Sequence, residues 1–368
     1  MKLRRYVPAS IALAVLLFLS SHTFAQGGVS FAQLNGTVQD TSGRALVRAA
    51  ILLRELGTNQ SYTASTNVTG YYVVPNLPPG KYELTVEFSG FAKYTQTGFV
   101  LTVGQTATID ITLKVASLGE TVVVTGEAPP VEPTKSEISQ VIDTVQIQGL
   151  PTNGRQFVDF ALLTPGVATG RTSIQSTFTE PEVTRISFGG MRDLSNSVTV
   201  DGADYINLAT GSQRATPSQE AVSEFRVVNN SFGAEYGRAL GGIVNVVTKS
   251  GTNNLHGSAY GYISNKDANS KSLLTLPPFD AYRRGQFGGT LGGPIRKDKT
   301  FFFMNYEGQR LAQSPTFPPT LVNPSALSTI DQAKVAMGLA PENLNVLKTL
   351  DNDNAFIKLD HQITNNNR

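Results

Sequence analysis

The chain has 368 residues, a length that suits two or three domains, and 30 Lys and Arg balance 28 Asp and Glu to a formal charge of +2. That balance excludes the concentrated basic face of a nucleic-acid binder, so no nucleic-acid partner is expected. The absence of Cys excludes disulfides, thiolate metal sites and Cys nucleophiles.

The N-terminus reads as an export signal. Lys2, Arg4 and Arg5 form a positive start, Ile11–Leu19 is apolar, and Thr23-Phe24-Ala25 offers small residues for cleavage. Residues 1–25 are therefore expected to be a signal peptide cut after Ala25, with Ala32 as the weaker alternative. The apolar run falls short of the roughly 20 residues that a spanning helix needs. No other segment is apolar enough, so membrane insertion would have to use β-strands.

From Gln33 to Lys114 the pattern is that of short strands. Lys81–Phe88 alternates, with Tyr82, Leu84, Val86 and Phe88 on one face and Lys81, Glu83, Thr85 and Glu87 on the other. Thr108–Lys114 repeats this with Ile109, Ile111 and Leu113. One face then packs on a core and the other meets water. Turn signals at Thr41-Ser42-Gly43, Val68-Thr69-Gly70 and Leu77-Pro78-Pro79-Gly80 complete the pattern of a β-sandwich. The ordered positions Gly36, Val38, Asp40, Gly43, Ala49, Gly70, Tyr72, Leu77, Pro79, Gly80, Tyr82, Leu84 and Gly90 resemble the carboxypeptidase-regulatory-like domain. The resemblance implies a prealbumin-like sandwich over residues 31–114, without catalytic residues, serving as a spacer or stabilising module.

Residues 115–136 read as a linker. Pro129, Pro130 and Pro133 keep it extended. Within it Glu120, Thr121, Val122, Val123 and Val124 are similar to a TonB box. That similarity implies strand addition to a TonB-type periplasmic energy-coupling protein, with main-chain hydrogen bonds supplying the grip.

Residues 137–250 form the next unit. Ser139–Val145 and Ile147–Leu150 suggest strands, and Asn153-Gly154-Arg155 opens a helix over Gln156–Leu163 with Phe157, Phe160, Ala161 and Leu163 toward a core. Thr169–Glu182 is a polar loop, either facing substrate or without order. Arg192 and Asp201 suggest a buried structural pair, to which no ligand role attaches. Pro217–Ser223 reads as a short helix capped by Ser218 or Thr216, followed by strands at Glu224–Asn229 and Gly241–Lys249 around a glycine-punctuated loop. The run Glu224, Phe225, Val227, Tyr236, Gly237, Gly241, Gly242, Val244, Asn245, Val247, Thr248 and Lys249 resembles the end of the plug domain of TonB-dependent outer-membrane receptors. The run Ile186, Phe188, Gly189, Arg192, Asn196, Val198, Val200, Asp201 and Gly202 resembles the centre of that plug.

After Gly251 the alternation lengthens. Outer-membrane strands have about 9–11 alternating residues joined by short periplasmic turns and longer outer loops. Strands are expected near Leu255–Ser264, Arg284–Gly293, Thr300–Gln309 and Asn354–Thr364, with an Ala-rich helix near Ser325–Leu339. Phe302, Met304 and Tyr306 would face outer-membrane lipid while Asn305 and Glu307 face the lumen. Residues 251–368 would thus begin a transmembrane barrel. A plugged transporter needs about 22 strands, so the chain reads as the N-terminal fragment of a longer receptor.

Catalytic signals are weak. His256 and His361 both lie on expected barrel strands, no HExxH or GxSxG run occurs, and Asp201, Asp204 and Glu220 are spaced as solvated loop charges. No enzyme activity, cofactor or metal is expected. The fold class expected is mainly β: a prealbumin-like sandwich, an α/β plug, and the first antiparallel strands of an incomplete outer-membrane β-barrel. The resemblance implies a receptor for energised uptake of a glycan, peptide or iron chelate. The alternative is a cell-surface adhesion or scaffolding protein built from β-domains, without transport.

Overall fold

Alternating burial builds the first layer of the molecule. The computed structural model describes residues 30–116, 121–125, 137–150, 152, 155–169, 186–192, 195–206, 217–229, 232–233, 237, 239–268, 282–313, 324–342 and 347–363. Residues 1–25, expected as a signal peptide, Glu120, and residues 170–182 of the expected polar loop lie outside these. Strand β1 (Ala32–Asp40) buries every second residue. It pairs antiparallel with β4 (Tyr71–Leu77) and parallel with β7 (Thr106–Thr108) and β8 (Ile111–Leu113). The facing sheet runs β3 (Ser61–Ser65), β2 (Ala50–Glu55), β5 (Gly80–Glu87), β6 (Lys93–Leu101) and β9 (Thr121–Thr125). Between the sheets Leu34, Leu53, Tyr82, Leu84, Val86 and Phe99 are fully buried. Each such side chain contributes roughly 1.5–3 kcal/mol. Tyr72 keeps its hydroxyl satisfied in this core by donating to the Ile109 carbonyl at 2.9 Å. Gly36 admits that carbonyl, since a Cβ there would stand 1.9 Å from the Ile109 oxygen.

The second unit is a five-stranded mixed sheet in the order β10 (Ile138–Ile142), β15 (Val222–Asn229), β16 (Gly242–Thr248), β13 (Ser197–Val200) and β14 (Ala203–Asp204). A small hairpin pairs β11 (Val167–Thr169) with β12 (Ile186–Phe188). Strands β15 and β16 are buried along nearly their whole length. Two expectations are corrected here. Ile147–Leu150 is not a strand, because Thr144–Gly149 forms helix α1. Its capping box has the Gln146 amide donating to Asp143 at 2.8 Å and the Gln146 side chain accepting from the Asp143 amide at 3.2 Å. This satisfies two otherwise orphaned donors and fixes the first turn. Phe157–Leu163 coils, but as a 3-10 helix. Phe157, Phe160 and Ala161 are buried as expected, with Val158 beside them. Leu163 is half exposed, because the chain bends away just beyond it at Pro165-Gly166.

The last sheet is antiparallel, in the order β17 (His256–Asn265), β18 (Tyr282–Arg296), β19 (Thr300–Gln313) and β20 (Lys348–His361). All four expected strands are present. Three run 14 or 15 residues, longer than expected because the ladder continues past the apolar band into polar sequence. Phe287, Leu291, Met304, Tyr306, Ile357 and Leu359 point outward and exposed, while Phe303 and Asn305 are buried on the inner face. Helix α2 (Pro324–Ala336) occupies the connection before β20.

Candidate functional site

The inner face of the β17–β20 sheet is closed by the second unit, and the contact is polar. Gly251 lets the chain cross between them, since a Cβ there would lie 2.3 Å from the Phe302 carbonyl oxygen and 2.7 Å from that of Gly293. Arg155 then reaches back across the seam. It stands at φ 55, donates to Glu220 at 2.6 Å, and lies over the rings of Tyr262 and Tyr260 at 4.0 and 5.1 Å. A guanidinium on aromatic faces is held by the ring quadrupole, and more firmly where water is excluded. Lys249 is the second cation on Glu220, at 3.9 Å. Burial lowers its pKa, against the opposing pull of Glu220.

Two further contacts join the units, and a third braces the sheet wall itself, where Tyr260 on β17 donates to Glu307 on β19 at 2.8 Å. Ser218, beside the 3-10 turn Gln219–Ala221, donates to Asn305 at 2.7 Å. Lys358 on β20 donates to Asp201 at 3.3 Å and to the Thr248 hydroxyl at 3.1 Å. Asp201 also accepts from the Thr248 amide and hydroxyl at 2.9 and 2.5 Å. These contacts are side chain to side chain rather than interdigitated apolar packing. Such a seam separates at lower cost than a hydrophobic core, because water can replace each partner.

Two sequence expectations are corrected here. Glu220 is not a solvated loop charge, since its side chain is 13% exposed and holds two cations. Arg192 and Asp201 do not form a buried pair: Arg192 is exposed and Asp201 is taken by Thr248 and Lys358. Arg155 was read only as a helix opener. Its long reach and the paired Tyr260 and Tyr262 on β17 were the signal for its role, but no local pattern links residues about a hundred positions apart. His256 and His361 lie on β17 and β20 as expected, and no cluster of metal-binding side chains occurs among the described residues.

Among its described residues the linker contributes a strand. Thr121, Val122, Val123 and Val124 lie in β9, which pairs parallel with β6 in the register Lys93 to Thr121 through Thr97 to Thr125. Strand β9 is the end strand of its sheet.

Residues 33–114 match the carboxypeptidase regulatory-like domain and residues 247–334 match the outer membrane beta barrel domain. Over 312 residues the chain is 27% identical to the TonB-dependent transporter Oar of Myxococcus xanthus, covering 80% of this chain and 28% of that protein. The chain thus spans less than a third of that relative's length. Among solved structures, the siderophore receptor PirA from Acinetobacter baumannii matches 51% of this chain and 26% of its own, at 23% identity and a TM-score of 0.38. The outer membrane transporter YddB from Escherichia coli matches 48% of this chain and 27% of its own, at 14% identity and a TM-score of 0.38. A regulatory-like sandwich and an outer membrane beta barrel domain on one chain, with similarity over 312 residues to a TonB-dependent transporter, make this chain similar to the TonB-dependent receptors and place it in the outer membrane.

Proposed function

We propose that this chain serves energised uptake through the outer membrane. Residues 1–25 direct export, 31–114 form the sandwich, 115–136 the coupling linker, 137–250 the plug, and 251–368 the opening of the barrel. A cargo of the glycan, peptide or iron-chelate class binds from outside, and the plug gives way when a TonB-type protein pulls on Glu120–Val124. The observation that carries the reading is the polar seam. The plug unit meets the inner wall through Arg155 over Tyr260 and Tyr262, Ser218 on Asn305, and Lys358 on Asp201 and Thr248, so it is held in place without being welded to it.

The segment Thr121–Thr125 supports the coupling role because it is already extended and lies at a sheet end. An incoming strand adds to such an edge through main-chain hydrogen bonds alone. Val123→Pro removes one ladder donor and stiffens the backbone. The variant is expected to lose binding to the purified periplasmic domain of a TonB-type protein by at least tenfold. Equal binding by parent and variant would remove this segment from the mechanism.

A further inference from the structure

The sandwich does not hang free of the plug. The peptide of Val103, at the tip of the turn after β6, is gripped from both sides by β15. Its N–H donates to the Glu224 carboxylate, and its carbonyl accepts from Arg226 at 3.0 Å. Arg226 is fixed in turn by the Ser139 hydroxyl at 2.6 Å and by Glu137 at 3.5 Å. Val103, Glu224 and Arg226 are 0%, 8% and 3% exposed, so this grip is sealed from water. A second plug contact has the Ser30 hydroxyl donating to Asn245 at 2.9 Å.

The same sandwich also holds the rim of the barrel sheet. The Asn253 amide donates to the Gly57 carbonyl at 2.9 Å. The Asn59 side chain donates to Asp298 at 2.8 Å, in the tight turn between β18 and β19. One rigid body is therefore fastened to two others that must part if the plug is to move.

We propose that the N-terminal sandwich is a latch: docked through the Val103 backbone and the Asn59–Asp298 contact, it ties strand β15 of the plug to the rim of the barrel, and its release precedes plug movement. This holds whether or not Thr121–Thr125 is the segment that is pulled. Charge on Glu224 tunes the hold. Burial pushes its carboxyl up to about 7; the Val103 amide opposes this, Asp143 adds to it, and Arg226 opposes it. Glu137 is the remaining charge beside it, on Arg226, and the turn 102–105 brings no titratable group. A raised carboxyl favours docking fully below the ordinary carboxylate range, and the advantage is lost as pH rises through about 7.

The turn allows a narrow test. Gln105 donates to the Thr102 carbonyl at 3.1 Å and Gly104 stands at φ 62, with Val103 on the negative side. This is the turn type that accepts proline at its second position. Val103→Pro therefore deletes the donor that Glu224 holds while keeping the turn. The chain has no Cys, so Val68→Cys on the sandwich and Leu240→Cys on the plug, both highly exposed, carry the only spin labels. Pulsed dipolar distances in the full chain in detergent should be narrow for the parent at pH 5. Val103→Pro should add a broad component at least tenfold larger, with the melting transition intact. A folded Val103→Pro that keeps the parent's distribution overturns the latch. Should that variant unfold, the parent decides: its broad component should grow roughly a hundredfold from pH 5 to pH 8 and stay flat in Glu224→Gln, and a flat parent overturns the proposal.

Discussion

Strand β5 in the sandwich and strand β20 in the barrel sheet are written in the same alternating code, yet they send their apolar residues to opposite destinations. Tyr82, Leu84 and Val86 of β5 are fully buried between two sheets. Ile357 and Leu359 of β20 are about two-thirds exposed, and their polar neighbours Lys358 and Asp360 face inward. Alternation alone says that two environments exist. It does not say which is the solvent. In the sandwich a second sheet supplies the apolar environment, and on the proposed function lipid supplies it for the last strands.

Substitutions can break this comparison, beginning with the largest effect. Leu84→Ala leaves a cavity in a closed core and should cost about 2–5 kcal/mol in denaturant unfolding, whereas Leu359→Ala in detergent should cost well under 1 kcal/mol by the same measurement. Folding into bilayers reverses the indifference of the outer face. Leu359→Lys should cost about 2–4 kcal/mol there, measured by urea titration in lipid vesicles, and a neutral result would mean that this face does not meet lipid.

The seam where the two regions meet should respond next. Arg155→Ala leaves Glu220 with only the more distant Lys249 and should destabilise the plug by about 3 kcal/mol, read as a loss of hydrogen-exchange protection in β15 and β16. Gly242→Ala tests packing inside the plug. Its Cβ would fall 2.2 Å from the Phe188 ring, so a cost of about 1–3 kcal/mol is expected, with Phe188→Leu in the same chain relieving part of it.

The smallest effect is a pH dependence confined to the sandwich. Hydrogen bonds from the Ser42 hydroxyl and then the Arg44 amide hold the Asp40 carboxyl well below the usual carboxylate range. A depressed carboxyl stabilises the fold above its ordinary pKa, and that contribution disappears as pH falls. The urea midpoint of the parent should therefore drop between pH 5 and pH 2 more steeply than that of Asp40→Asn. Parallel curves would show that the turn does not depend on the charge.

Much of the architecture was legible because it rests on local pattern. Four barrel strands, the sandwich strand Gly80–Glu87 and the Gly242–Thr248 strand follow from alternation and glycine punctuation, which act over a few residues, whereas Thr108–Lys114, expected as one strand, divides into Thr106–Thr108 and Ile111–Leu113. Helix α1 was missed because Thr144, Val145 and Ile147 favour strands, while the Asp143–Gln146 capping box supplies hydrogen bonds that outweigh this weak preference. Glu220 was misread because its spacing along the chain is that of any loop charge; only folding brings Arg155 and Lys249 to it.

The order of the units, the outward apolar stripe of the last strands and the β-branched run Thr121–Thr125 were determined by the sequence alone, since each depends on neighbours a few positions away. Only the tertiary structure decided that Arg155 lies over Tyr260 and Tyr262, that Thr121–Thr125 joins the edge of the sandwich, and that one peptide at Val103 fastens the sandwich to the plug. These contacts join residues 28 to 123 positions apart, and hydrogen bonds of that reach form only where packing has already brought two surfaces together.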